Sequence, residues 1–135
     1  MRDIGDTLLE NVSATIRRAA QEATNEVVLR TPVKTGNARV NWRVSFATYK
    51  TNHVEAPGTG NVDTNRQIAS ARALIDASNK IKAWKVGKGS VFIANPVSYI
   101  SDLDRGSSQQ ARSGMTAFAI AAARQVLREG KLLRG

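Results

Sequence analysis

The sequence predicts an α+β fold: long N-terminal and C-terminal helices and a middle helix, packed on one face of a small antiparallel β-sheet. Apolar residues recur at steps of three and four in three stretches, from Ile4 to about Leu29, from Thr64 to Lys82 and from about Ser113 to Glu129. That is the spacing of one helix face. Between the first two, Val40, Trp42, Val44 and Phe46 alternate with Asn41, Arg43 and Ser45. A period of two marks a strand with one face on a core and one in water, which is typical of antiparallel pairing. The chain of 135 residues, 41% hydrophobic and 23% charged, has the size of one domain around one core. No internal repeat or boundary divides it, so residues 1–135 read as a single domain.

The first helix carries its apolar face on Ile4, Leu8, Val12, Ile16, Ala19, Ala20, Ala23 and Val27, and at ~1.5 Å per residue it is roughly 37 Å long. Asp3 and Asp6 lie near its start, where negative charge complements the helix dipole. Thr31-Pro32 ends it, because the residue before a proline is pushed out of the helical region. Pro32 to Asn37 is a turn, and Arg39 to Tyr49 is the half-buried strand. Thr51 to Asn65, with Pro57 and several glycines and asparagines, is a long exposed loop, of the kind that is functional or disordered. The middle helix places Ile68, Ala71, Leu74, Ile75, Ala77 and Ile81 at helical spacing, with Asp63 or Thr64 as its N-cap.

Ala83 to Val86 is a candidate strand, Gly87 to Ser90 a turn, and Val91 to Ala94 a second strand that stops at Asn95-Pro96. Asn95 to Met115 is a polar surface segment joining the last strand to the last helix. That helix has Met115, Phe118, Ala119, Ala122 and Val126 on its inner face and Gly130 as its stop. Residues 131–135 form a frayed, flexible tail.

Composition narrows the function. There is no cysteine, which removes disulfides, thiolate metal sites and thiol catalysis and fits assembly in a reducing cytoplasm. No apolar run approaches the roughly 20 residues that span a bilayer. The N-terminus has no signal-peptide core, so the protein is expected to be soluble, with no membrane contact. Twenty Lys and Arg against 11 Asp and Glu give a net charge of +9, which raises nucleic-acid binding or an acidic partner. The basic residues are dispersed, except from Lys80 to Lys88 and from Arg124 to Arg134.

No catalytic constellation emerges. His53 is the single histidine, with Glu55 as its near neighbour, and metal sites need three or four ligands. Asp102 and Asp104 have the i, i+2 spacing of a carboxylate pair but read as turn residues paired with Arg105 or Arg112. Gly58-Thr59-Gly60 and Gly87-Lys88-Gly89 lack the third glycine of a dinucleotide fingerprint and the hydroxyl placement of a P-loop. Trp42 and Phe46 are able to stack on bases, but their alternation assigns them to the core. The expectation is a non-enzyme with no metal and no cofactor.

Two polar stretches remain. Thr31-Pro32-Val33-Lys34-Thr35-Gly36-Asn37-Ala38-Arg39-Val40-Asn41-Trp42 follows the long first helix. It resembles the TPV-x-TG segment, with its later tryptophan, of bacteriophage neck and tail-completion proteins. Asn95-Pro96-Val97-Ser98-Tyr99-Ile100 leads into Leu103-Asp104-Arg105-Gly106-Ser107, Gln109-Gln110-Ala111 and Gly114-Met115. This resembles that family's second motif, which runs from an asparagine through a tyrosine to a closing Gly-Met. The resemblance covers nearly the whole chain. Asp104 stands where the family usually has Glu, Arg105 where an aromatic is common, and Arg112 where Pro is usual.

The resemblance implies a structural virion protein of a long-tailed phage, assembled in the host bacterial cytoplasm. It implies a homo-oligomeric ring of six subunits between the head connector and the tail, in contact with connector or adaptor proteins and with tail-terminator or tail-tube proteins. The subunit and partner interface is expected on Thr31, Pro32, Val33, Thr35 and Gly36 and on Asn95, Pro96, Tyr99, Asp104, Arg105, Gly106, Ser107, Gln109, Gln110 and Met115. The basic surplus would meet acidic neck partners or, without sequence specificity, the DNA passing through the lumen. A tail-terminator ring and a basic nucleic-acid-binding module are the alternatives.

Overall fold

A computed structural model describes residues 4–33, 36–48, 53–100 and 115–130. In chain order these form α1 (Ile4–Arg30), α2 (Asn37–Val40), β1 (Arg43–Phe46), α3 (Val62–Lys82), β2 (Val91–Ala94) and α4 (Thr116–Gly130). Strands β1 and β2 pair antiparallel, with Arg43 opposite Ala94 and Phe46 opposite Val91. The fold is α+β, as the periodicities predict.

Small side chains set the layer spacing. Asn65, Ala69, Ala73, Ala77 and Ile81 are buried along α3 at steps of four, one side of a helix. Ala19, Ala20 and Ala23 do the same on α1. One cluster joins Ala23, Val27, Val28, Trp42, Ala73, Met115 and Ala119, and a second joins Ala20, Val44, Ala77 and Ile81. With alanines at the crossings the helices approach closely, and Trp42 is the largest side chain of the first cluster. Helix α4 runs back along α1: Ala119 packs near Ala23 and Val27, while Gly130 at the far end lies so close to Thr15 that a Cβ would collide with its side chain.

The expected strand from Arg39 to Tyr49 is mostly not a strand. Gly36 takes φ +91° and turns the chain. Residues 37–40 then coil into α2, leaving four residues for β1. The reason lies in Arg39, which is buried instead of facing water. Its guanidinium donates to the carbonyls of Thr31 (2.7 and 3.1 Å) and Leu29 (2.9 Å) and to Ser70 Oγ (2.9 Å). Terminal carbonyls of a helix have no partner within it, and Arg39 supplies one for the end of α1. Asn41 and Ser45 are also buried, so the alternation did not report an inside and an outside.

Ala83 to Val86, a candidate strand, instead clasps α1. Trp84 Nε1 donates to the Gly89 carbonyl (2.9 Å), the Trp84 carbonyl accepts from Arg17 (2.7 Å), and Val86 N–H donates to Ser13 Oγ (3.0 Å). The N-cap of α3 is Asn61, whose side chain accepts from Thr64 N–H at 2.9 Å, not Asp63 or Thr64. Helix α3 therefore absorbs the end of the expected loop. Gly130 is the last described residue of α4. The start of the expected C-terminal helix at Ser113 and the tail 131–135 lie outside the described residues. Helix α1 differs from expectation at its start, where Ile4 is 88% and Leu8 54% exposed.

Charged hydrogen bonds contribute about 1.5–3 kcal/mol each. Arg39→Met should therefore destabilise the protein by about 3 kcal/mol or more, lowering the thermal midpoint by roughly 10 °C. Arg39→Lys should recover little, because an ammonium cannot span these acceptors. Thermal unfolding followed by circular dichroism checks both.

Candidate functional site

The two stretches singled out by sequence meet in space. The Thr31 hydroxyl donates to the Val27 carbonyl and accepts from Trp42 Nε1 at 2.7 Å, and Met115 Sδ lies 3.1 Å from the same oxygen. The hydroxyl is fully buried. Its bond back to the preceding turn is a common role for a threonine at a helix end. Asn95 then ties the end of β2 to α2: its Nδ2 donates to the Ala38 carbonyl (2.7 Å) and its Oδ1 accepts from Val97 N–H (3.0 Å). Nearer the surface, Asn37 Nδ2 donates to the Tyr99 hydroxyl at 3.0 Å. Distant positions in the chain thus build one edge.

The predicted interface residues divide into three groups. Thr31, Val33, Gly36 and Met115 are buried within the subunit, so their side chains serve its own core and offer a neighbour no surface. That corrects the interface expectation for these four, while for Met115 it bears out the inner-face position that the helical spacing predicts. Pro32, Asn95 and Pro96 are half-buried and Tyr99 is exposed, and these remain available at the edge. Thr35, Asp104, Arg105, Gly106, Ser107, Gln109 and Gln110 lie outside the described residues.

The neighbouring loop is held at both ends by buried asparagines. Asn41 Oδ1 accepts from Val54 N–H (2.5 Å) and its Nδ2 donates to the carbonyls of Val54 (2.9 Å) and Asn37 (2.7 Å). Asn65 Oδ1 accepts from Thr59 N–H (2.8 Å) and the Thr59 hydroxyl (2.5 Å), while its Nδ2 returns a bond to the Thr59 carbonyl (3.1 Å). Between these anchors Pro57 covers Gly36, where a Cβ would lie 2.8 Å from Pro57 Cδ and 3.1 Å from Ala69 Cβ. The exposed loop expected from 51 to 65 is, where described, a strap bound to the edge.

Arg39, Asn41 and Asn65 are the residues that sequence reasoning missed. Asn41 stands at an outward position of the alternation and Asn65 at the end of the expected loop, so their polar side chains gave no sign of burial.

Burial first, and the nearby Arg66 second, pull Arg39 down to about 10, so it stays charged at neutral pH. Beside Trp42 is a cavity of about 180 Å³ bordered by Val40, Arg43, Val54, Arg72 and Asp76. There Arg43 Nε lies 3.5 Å from Asp76 Oδ2, too loose for a hydrogen bond, and Lys80 Nζ lies 3.6 Å from the same oxygen. A second, apolar cavity of about 260 Å³ is walled by Ala23, Val27, Trp42, Ile93 and Ile120. His53 and Glu55 are exposed, and among the described residues no three His, Asp or Glu side chains gather where a metal could sit. No described helix is long and apolar enough to cross a membrane.

Gly36→Ala combines a disfavoured positive φ with a clash against Pro57. The variant should lose about 2 kcal/mol and become cleavable between residues 53 and 60 under limited proteolysis, where the native protein resists. No protein-family model, curated protein or solved structure matches the chain.

Proposed function

We propose that this chain is a structural virion protein that forms a ring at the neck of a long-tailed bacteriophage and joins the head connector to the tail. The observation that supports this most is the meeting of the two family-like stretches. Thr31, Trp42 and Met115 form a buried knot, and the same stretches present Pro32, Asn37, Pro96 and Tyr99 above it. A rigid polar edge suits an interface that is made many times with one geometry, because little side-chain freedom is left to lose on docking.

In a closed ring each contact is heterologous, one patch meeting a different patch on the next subunit. Six copies are proposed. The chain then acts by shape and binding, with no catalytic step, and a tail-terminator ring is a variant of the same reading. Its place of work would be the virion, after assembly in the bacterial cytoplasm.

A second reading, a nucleic-acid-binding module, draws on one observation. Arg66, Arg72 and Lys82 of α3 and Lys85 and Lys88 beyond it are all exposed, so part of the positive surplus lies along one element. Within the ring reading these residues would face DNA in the lumen.

Phage particles made without this chain should show full heads and finished tails that fail to join by electron microscopy. Joined, infectious particles would overturn the neck assignment. The nucleic-acid reading predicts tight duplex binding by the isolated protein, weakening by about 0.9 log units per contacted phosphate for each tenfold rise in salt. The ring reading predicts only weak, unspecific binding.

A further inference from the structure

We propose that the N-terminal tip of α1 docks on the outer face of α4 of a second copy, a heterologous contact that links subunits head to tail. This rests on the ring reading for closure into a ring; the contact itself is argued from the surface.

Helix α4 is described as far as Gly130, which lies against Thr15, and from Thr15 α1 runs back to Ile4, roughly 16 Å at 1.5 Å per residue. Over that length the apolar stripe buried at Ala19, Ala20 and Ala23 goes on through Leu8 to Ile4, with Leu9 beside it, and all three large side chains are exposed. An apolar stripe that leaves the core and stays bare is an interaction surface.

The partner surface is on α4. Ile120, Arg124 and Leu127 stand at i, i+4 and i+7, with Arg128 alongside, and all are exposed, so they form one outward stripe. Ile120 is 51% exposed and also walls the 260 Å³ apolar cavity, so the apolar ground extends beyond the helix. Glu129, the acid of this helix, already pairs with Arg18 of its own subunit at 3.1 Å.

Charge selects the second copy as the occupant. In a chain of net charge +9, residues 4–10 of α1 hold Asp6 and Glu10 and no Lys or Arg. An acidic, leucine-bearing helix end thus complements an arginine-flanked apolar stripe. The two surfaces are different patches, which gives a head-to-tail contact and not a two-fold dimer.

The test uses the full chain and two variants at exposed positions, Leu8→Asp and Leu127→Asp, with circular dichroism melts confirming that each folds as the parent does. By sedimentation velocity the parent should self-associate, and each variant alone should be at least ~100-fold weaker. An equimolar mixture of the two variants should form a dimer and nothing larger, because one variant keeps the tip and the other keeps the α4 stripe. Self-association of the parent should also weaken with added salt.

Variants that assemble like the parent, or a mixture that forms no dimer, would overturn the contact. Rings that persist in both variants would leave the neck reading standing and this contact refuted. A parent that is monomeric at every concentration also refutes it. If removing residues 131–135 turned such a monomer into an oligomer, the tip would belong to the chain's own C-terminal end.

Discussion

The structure depends on a single buried hydroxyl. Thr31 closes α1 through the Val27 carbonyl, receives the indole of Trp42 and touches the sulfur of Met115. Three parts of the chain are tied at one atom, and the tie is polar inside an apolar cluster, so it has one satisfied geometry and many unsatisfied ones. A buried polar group left unpaired costs about 1–3 kcal/mol, and that penalty fixes the arrangement. Hydrophobic burial alone would let the alanine-lined helices slide; the Thr31 tie and the Arg39 cap set their register.

The same economy of parts runs through the loops. Arg39, Asn41, Asn65 and Asn95 each supply a partner to backbone groups at the end of α1, in the strap or in α2 that regular structure leaves unpaired. A two-stranded sheet is marginal by itself, so the packing against α1 and α3, and these side-chain bonds, must hold the edge that the sheet cannot. The result is an exposed strip, with Tyr99 and Asn37 in contact, mounted on a core that does not yield. For a protein proposed to work by repeated docking, that stiffness is the functional property.

How much was legible in sequence follows from which signals are periodic. The three long helices were readable because their apolar steps extend over many turns, and β2 because an Asn-Pro pair stops it. The Arg39–Tyr49 stretch misled because Asn41 and Ser45 look like outward residues yet are buried with partners, a matter that only the folded neighbours decide. Trp84 looked like strand for the same reason. At the candidate edge, the two motifs were visible as unusual polar runs, but their division into core members (Thr31, Val33, Met115) and surface members (Tyr99, Pro32) was not. The spacing of the last helix places Met115 inward, as found, but nothing marks Thr31 as buried, and the exposure of Ile4 and Leu8 contradicts the inward face that their spacing predicted.

The exchange of the Trp42 indole proton with solvent tests the central tie most directly. Nuclear magnetic resonance should find this proton strongly protected, with nuclear Overhauser contacts to the Met115 methyl and the Thr31 side chain; Trp84→Phe would identify its signal among the two indoles. An indole that exchanges like that of a free tryptophan and shows no contact to Met115 would contradict the account.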